Sequence, residues 1–165
     1  MNKNFEMDLA EMAIDLERFF KTDMLDIIGV EAVNHFEESF ENEGFTDVAL
    51  KKWEPRKATD RRGRDITRYR TARIGKPGQL NAYGRRIQGR AILTGHNSGG
   101  DKLRNSLRYT TGNSKVDIVT DKDYAKTHNE GEGNMPKRQF MGHSAQLDRK
   151  ILKKIDKQLK KILKQ

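Results

Sequence analysis

Residues 107–120 read Leu107-Arg108-Tyr109-Thr110-Thr111-Gly112-Asn113-Ser114-Lys115-Val116-Asp117-Ile118-Val119-Thr120. The first five residues are rich in strand formers. Gly112-Asn113-Ser114 is a turn cluster. Val116 and Ile118 then alternate with polar neighbours, so the stretch predicts a β-hairpin.

Three helical patterns flank this hairpin. Near the N-terminus, Phe5, Leu9, Met12, Ala13, Leu16, Phe19 and Phe20 recur at helical spacing. Leu25, Ile28, Gly29, Ala32, Val33, Phe36 and Phe40 form the apolar face of a second helix. Thr22 or Asp23 is placed to cap its start, and Gly44 follows its end. Glu37, Glu38 and Glu41 crowd its C-terminus, where the helix dipole disfavours carboxylates. A cationic partner would relieve that cost; the alternative is that the chain's own basic segment folds over this end. At the other terminus, Leu147, Ile151, Leu152, Ile155, Leu159, Ile162 and Leu163 run as a stripe among lysines, with Ser144 as the cap. Basic amphipathic helices also lie on membrane surfaces or bind calmodulin-type partners. The reading favoured here is a helix packed on the sheet with a solvated lysine face.

Between these elements the periodicity is weaker. Residues 46–90 hold Trp53-Glu54-Pro55-Arg56, a run of Arg and Lys, and several Gly and Pro breaks. A loop this long is usually functional or unstructured on its own. We expect a basic arm over 51–90, ordered by a partner, with a short hairpin near 66–74. Asp101–Leu107 predicts a short helix capped by Asp101, with Leu103 and Leu107 facing inward. Tyr124–His128 predicts a helical turn ending toward Gly131, and Pro136–Met141 an extended piece.

With 165 residues, the chain is long enough for one domain with a modest core. Apolar residues make up 34% and charged residues 35%, which is polar for a globular protein. There is no cysteine, so disulfides and thiolate metal sites are excluded. No stretch approaches the roughly 18 apolar residues of a membrane span, and acidic residues among the first apolar ones argue against a signal peptide. The net charge of +9 is segregated. Residues 1–50 carry 13 acidic and 3 basic side chains, whereas residues 51–90 carry 14 basic and 3 acidic. Opposed fields of this kind suit nucleic acid on the basic half, or contacts between acidic and basic faces of identical subunits.

No catalytic constellation emerges. His35, His96, His128 and His143 lack metal-pair spacing. His35 flanks the second helix's apolar face and reads as a partly buried helix residue. His96 with Asp101, or His128 with Glu130 and Glu132, can be drawn as acid–base or metal groups, but nothing orients them. The loop from Gly95 through Asn97-Ser98 to Gly99-Gly100 lacks the Gly-Lys-Ser/Thr end of a phosphate-binding loop. Its glycines suit a tight turn or a neighbouring subunit's close approach. We expect no catalytic residue, no metal and no cofactor.

The candidate contact residues are therefore arginines: Arg56, Arg61, Arg62, Arg64, Arg68, Arg70, Arg73, Arg85, Arg86 and Arg90. Guanidinium groups suit bidentate recognition of phosphate or carboxylate. No helix-turn-helix, zinc finger or aromatic RNA-binding stripe accompanies them. Any DNA contact would be nonspecific and strongly salt-dependent.

Several pieces recur in an order that resembles a known family. Phe40 is followed by Trp53-Glu54-Pro55-Arg56, Ile92-Leu93-Thr94-Gly95, Leu103-Arg104-Asn105-Ser106-Leu107 and Tyr124-Ala125 with His128 and Gly131. Pro136-Lys137-Arg138-Gln139-Phe140-Met141-Gly142 completes the set. Together they resemble the phage virion morphogenesis family, the tail-completion and tail-terminator-like proteins of long-tailed bacteriophages. The similarity spans residues 36–144. Two departures stand out: His96–Asp101 lengthens the connection after Thr94-Gly95, and Arg138-Gln139-Phe140 replaces the usual Arg-Pro-Phe order.

The resemblance implies a non-enzymatic structural subunit, made in the host cytoplasm and built into the virion neck or upper tail. It implies a homo-oligomeric ring, often of six, contacting neck and tail-tube proteins and meeting genomic DNA in its lumen. It implies no membrane partner. Sequence and resemblance together predict a single α+β domain over 1–165. Its parts are two N-terminal helices, a small antiparallel β-sheet with a long basic arm, and a packed C-terminal helix. The expected core is Leu25, Ile28, Val33, Phe36, Phe40, Leu93, Leu107, Val116, Ile118, Phe140, Ile151, Ile155 and Leu159.

Overall fold

The computed structural model describes residues 3–71, 78–94 and 101–164. The Gly95–Gly100 loop with His96, the side chain of Phe5, and Arg73 lie outside the described residues. The fold is α+β. In chain order it comprises α1 (Lys3–Arg18), a π-helical turn (Phe19–Asp23), α2 (Met24–Glu41), β1 (Gly44–Thr46), β2 (Leu50–Lys52) and α3 (Ala82–Ile87). A 3₁₀ turn (Leu103–Asn105), β3 (Arg108–Gly112), β4 (Lys115–Val119), α4 (Ala125–Glu130) and α5 (Ala145–Ile162) follow.

The first two helices are continuous through the π turn. Asp23 does not cap α2: its torsions are helical (φ −63°, ψ −37°) and its side chain makes no capping bond. A π turn inserts a residue and rotates the buried face. Accordingly Phe19 turns inward, 1% exposed, while Phe20 stays half out.

The helix α2 is the centre of the molecule. Its buried face runs Leu25, Gly29, Ala32, Phe36 and Phe40, with α5, the β3–β4 hairpin and β1 packed around it. Gly29 is required by one of these contacts. A Cβ there would stand 2.2 Å from Cδ2 of Tyr109, so the missing side chain lets the β3 tyrosine lie on the helix. The β3–β4 hairpin matches its prediction. Gly112 pairs with Lys115, and Asn113 and Ser114 both take positive φ (46° and 60°), as a two-residue hairpin turn requires.

Two differences from the sequence reading concern the sheet and the core. The β-structure is two separate two-stranded antiparallel sheets, β1–β2 and β3–β4, the first of them unforeseen. The core gathers Phe36, Phe40, Phe45, Trp53, Ile92, Leu103, Leu107, Ala125, Phe140 and Leu147 around Ala32. Val33, Leu93, Ile118, Met141 and Ile151 pack against it half-buried. Trp53 is thus a core residue, 7% exposed, and Lys51 and Lys52 belong to β2. Residues 103–105 form one 3₁₀ turn without a side-chain cap; Asp101 is instead paired with Lys122.

The remaining elements follow their sequence signals. Ser144 caps α5, its Oγ accepting from the Leu147 amide at 3.1 Å. α4 ends at Gly131 in the left-handed region, where a Cβ would meet Lys137 backbone at 2.8 Å. Two of the three carboxylates at the end of α2 find cations on other elements: Glu38 with Lys150 of α5, and Glu41 with Arg104 at 2.8 Å. From β2, Lys52 donates to the Asn42 carbonyl at 2.5 Å. Of these three cations, Lys52 lies in the 51–90 basic segment, and Lys150 and Arg104 lie outside it.

Candidate functional site

The chain between Trp53 and Ile92 folds into a lobe closed at its base by one arginine. Arg56 donates through Nη1 to the Arg90 carbonyl (3.1 Å) and through Nη2 to the Ala91 carbonyl (2.9 Å). Glu43 adds a second tie, its Oε1 accepting from the Ile92 amide at 2.5 Å. A fork of two donors on one rigid group suits this bridging role.

Within the lobe, short polar side chains set the turns. Asp60 Oδ1 accepts from the amides of Arg62 and Arg64, each at 2.9 Å, and an isolated bridge pairs Thr59 with Asp65. Asp65 accepts from the Thr67 amide at 2.7 Å. Asn81 caps α3 by accepting from the Gly84 amide at 2.7 Å, and its Nδ2 donates to the Arg68 carbonyl at 2.8 Å. Self-bonding of this kind is typical of Asp and Asn in turns. A second bridge joins Arg70 to Leu80. Of the hairpin expected near 66–74, residues 66–71 form no named strand and residues 72–74 lie outside the described ones. Ile87 gives the lobe a small apolar centre, 2% exposed. Tyr69 and Tyr83 stack at 5.8 Å between centroids.

The predicted arginines divide by what they already touch. Arg64 pairs with Asp60 through Nε and Nη2, both at 2.6 Å. The hydrogen bond from the Arg64 backbone amide first, and the one from its guanidinium second, hold the Asp60 carboxyl below the ordinary carboxylate value. Arg70 donates to the Gly78 carbonyl at 2.9 Å and faces Asp65 at 3.6 Å. Arg85 donates to the Leu80 carbonyl at 2.7 Å, and Arg86 lies over the Tyr83 ring at 5.7 Å. Arg56, Arg70 and Arg90 line a cleft of about 510 Å³ with Asp65 and Glu43. By contrast Arg61, Arg62 and Arg68 are exposed, with no side-chain partner among the described residues.

A second polar cluster lies under the Pro136–Gly142 segment, and sequence reasoning missed it. Trp53 Nε1 donates to the Gln139 carbonyl at 2.6 Å, and Ser39 Oγ donates to the Phe140 carbonyl at 3.2 Å. Asn129 Oδ1 accepts from the amides of Phe140 and Met141, each at 3.0 Å. The Arg138 amide donates to the His128 carbonyl at 2.8 Å. Arg138 is buried. Its pKa is lowered first by that burial and then by the charge of Arg56, against a smaller opposing effect of Glu54. The pKa of His128 is likewise lowered, by burial first and by Arg138 second.

Among the described histidines, His35 and His128 sit in structural surroundings and exposed His143 faces Asp148 at 3.3 Å. His35 is 2% exposed and its Nε2 donates to the Thr46 carbonyl at 2.9 Å. The carboxylates beside His128 are engaged elsewhere: Glu130 accepts from Asn129 Nδ2 at 2.6 Å, and Glu132 pairs with Lys126 at 2.7 Å. Among the described residues no group of three or more His, Asp or Glu side chains is placed to hold a metal ion. No described helix is long and apolar enough to cross a membrane. In comparisons with known proteins, no family model, no curated protein and no solved structure matches this chain.

Proposed function

We propose that this chain is a structural subunit of a phage neck or upper tail, completing the tail and joining it to the head as a ring. The observation that carries this reading is where the resembling motifs meet. Phe40, Trp53, Ile92, Leu103, Leu107, Ala125 and Phe140 stand far apart in sequence, yet all belong to one core cluster. Their polar neighbours act as ties within it: Arg56 closes the lobe, and the Gln139 carbonyl accepts from Trp53. The motif residues therefore build a scaffold, which is the job the resemblance assigns them. The arginine-rich lobe, set on that scaffold by a two-point clamp, is the surface offered to neighbours.

Disrupting the gene in the phage genome that encodes the chain tests this reading. Lysates should then contain filled heads and separate tails, and labelled protein should map to the neck by electron microscopy. Replacing residues 57–88 with a short linker leaves Arg56 and its two acceptors in place, and should give a folded chain that no longer joins heads to tails. Normal virions from either change would reject the proposal.

A nonspecific nucleic-acid role is the second reading, favoured by the exposed guanidinium groups of Arg61, Arg62 and Arg68, which have no side-chain partner among the described residues. It requires DNA affinity that falls steeply with salt and weakens when these three become alanine.

A further inference from the structure

We infer that Arg138 and His128 form a receptor for one small oxyanion, a phosphate or a carboxylate, between α4 and the base of the lobe. The inference goes beyond the structural role proposed above and does not depend on it.

The sequence around Arg138 alternates as extended chain does. Lys137 is exposed and Gln139 half-buried, whereas Arg138 and Phe140 are 7% and 0% exposed. An arginine therefore stands where the pattern calls for an apolar side chain. Buried charges are ordinarily paired. Arg138 has no ion pair among the described residues, and its Nε has no hydrogen-bond partner there. The Trp53–Gln139 bond lays the Glu54–Arg56 stretch along this segment. After burial itself, the charge of Arg56 disfavours the Arg138 cation, and Glu54 opposes this with a smaller attraction. The fold thus adds a like charge beside the buried one and does not neutralise it.

A second orphaned atom lies next to the first. Among the described residues, three buried side-chain polar atoms lack a hydrogen-bond partner: His35 Nδ1, His128 Nδ1 and Arg138 Nε. His35 Nδ1 faces Glu38 at 3.8 Å, so its own helix supplies a neighbour. The other two belong to residues joined through main chain, the Arg138 amide donating to the His128 carbonyl at 2.8 Å. The His128 ring also feels the arginine: burial first, and the charge of Arg138 second, lower its pKa. A neutral imidazole can carry its proton on Nδ1, which would give the pair two N–H donors around one cationic centre. His128 is only half-buried and Arg56 is exposed, so the cluster lies near the surface.

Water would satisfy these hydrogen bonds but not the charge. An oxyanion does both, because a guanidinium takes phosphate or carboxylate through parallel N–H donors. Arg56 adds a favourable field for such a ligand. Exposed Glu54 is the resident rival for the same donors.

The Nε–H of Arg138 is a direct probe in nitrogen-correlated NMR spectra of the full chain, identified by its loss in Arg138→Lys. Inorganic phosphate, titrated against chloride at equal ionic strength, should shift this signal and those of the His128 ring saturably, with half-effect in the millimolar range. Acetate in a parallel titration separates the sources: a response to phosphate alone assigns a phosphoryl group, and an equal response assigns a carboxylate. Thermal unfolding is the second readout, since a ligand that binds only the folded chain raises its midpoint. Arg138→Met removes the unpaired charge, so its midpoint in chloride should hold or rise, and phosphate should no longer raise it. Arg138→Lys, which keeps the charge without the fork, should bind phosphate about tenfold more weakly. Arg61→Ala, on the lobe, should respond as wild type does. Glu54→Gln should strengthen the phosphate response. A wild-type chain without a saturable response would overturn the inference; a lowered midpoint in Glu54→Gln would then name Glu54 as the partner. A response that survived Arg138→Met would overturn it equally.

Discussion

Trp53 Nε1 donates to the main-chain carbonyl of Gln139 at 2.6 Å, 86 residues along the chain. The bond joins the start of the arginine-rich lobe to the Pro136–Gly142 segment. The indole also packs edge-on against Phe40 at 5.8 Å. Trp53→Phe keeps an aromatic ring but leaves the carbonyl without its donor, so it should cost about 1–3 kcal/mol. Trp53→Ala adds a cavity and should cost about 3–5 kcal/mol. Urea titration checks both: the midpoint should fall in that order with little change in slope.

Gly29 and Tyr109 make a test of opposite sign from the usual helix rule. Gly→Ala inside a helix ordinarily stabilises by about 1 kcal/mol. Here the new Cβ would lie 2.2 Å from Cδ2 and 2.4 Å from Cγ of Tyr109, close to the ring's attachment point, where it cannot swing aside. Gly29→Ala should therefore destabilise. In a Tyr109→Ala background the same change should become neutral or stabilising. That reversal in a double-mutant cycle would locate the cost at this contact; additive effects would place it elsewhere.

These two contacts also show where sequence reading stops. The β3–β4 hairpin was legible because Gly112-Asn113-Ser114 marks its turn, and α5 because its stripe begins just after a capping serine. The junction of α1 and α2 was not. Thr22 and Asp23 look like caps, but a π turn carries the helix through them, and no local propensity signals that extra residue. The strands β1 and β2 are three residues each, too short to alternate. Among the arginines, composition identified the basic region but could not separate Arg56, used inside the fold, from Arg61, Arg62 and Arg68, which have no side-chain partner among the described residues. Asp60, Asp65 and Asn81 set the turns of this region by bonding to nearby backbone, contacts that composition does not reveal. Asn129 and Ser39 were missed because one polar residue on a helix gives no periodic signal. Trp53 was read as part of the arm because its partners lie across the whole chain.

Ser144 does two jobs with one hydroxyl. Its Oγ accepts from the Leu147 amide at 3.1 Å and donates to the Thr46 carbonyl at 2.8 Å. Loss of a capping serine alone costs about 1 kcal/mol. Ser144→Ala also removes one of the two donors to the Thr46 carbonyl, which keeps His35 Nε2 at 2.9 Å, so the cost should exceed that of an ordinary cap by a modest margin. Ser144→Thr, which keeps the hydroxyl, should recover most of it. Thermal unfolding of the three proteins would decide; equal losses for Ala and Thr would point to packing instead.

His128 should give the protein an acid-sensitive component of stability. Its pKa is lowered in the fold by burial and by the charge of Arg138, so the unfolded chain binds a proton more readily. The stability contributed by the neutral ring is therefore complete above the ordinary histidine value of 6.5. It is lost as pH falls through that value toward the lower folded one. His128→Gln removes the titration. Its stability should change less than wild type between about pH 7 and 5.5, above the main carboxylate range. Parallel profiles would show that His128 is not the sensitive group.

Arg56→Lys separates geometry from charge at the base of the lobe. Lysine keeps the cation but is a point charge on a flexible stem, and it cannot hold two carbonyls in the fixed fork arrangement. The lobe should loosen at its hinge while the core remains. In hydrogen exchange, the Arg90 amide, which donates to the Ile87 carbonyl, and the Ile92 amide, which donates to Glu43, should exchange on the order of tenfold faster. The β3–β4 amides should be unchanged. Arg56→Gln makes the necessary contrast. It removes a positive charge that disfavours buried Arg138, so it should loosen the lobe in the same way yet relieve part of the strain on that arginine. If Arg56→Lys left the hinge amides fully protected, Glu43 rather than the arginine fork would be what holds the lobe to the core.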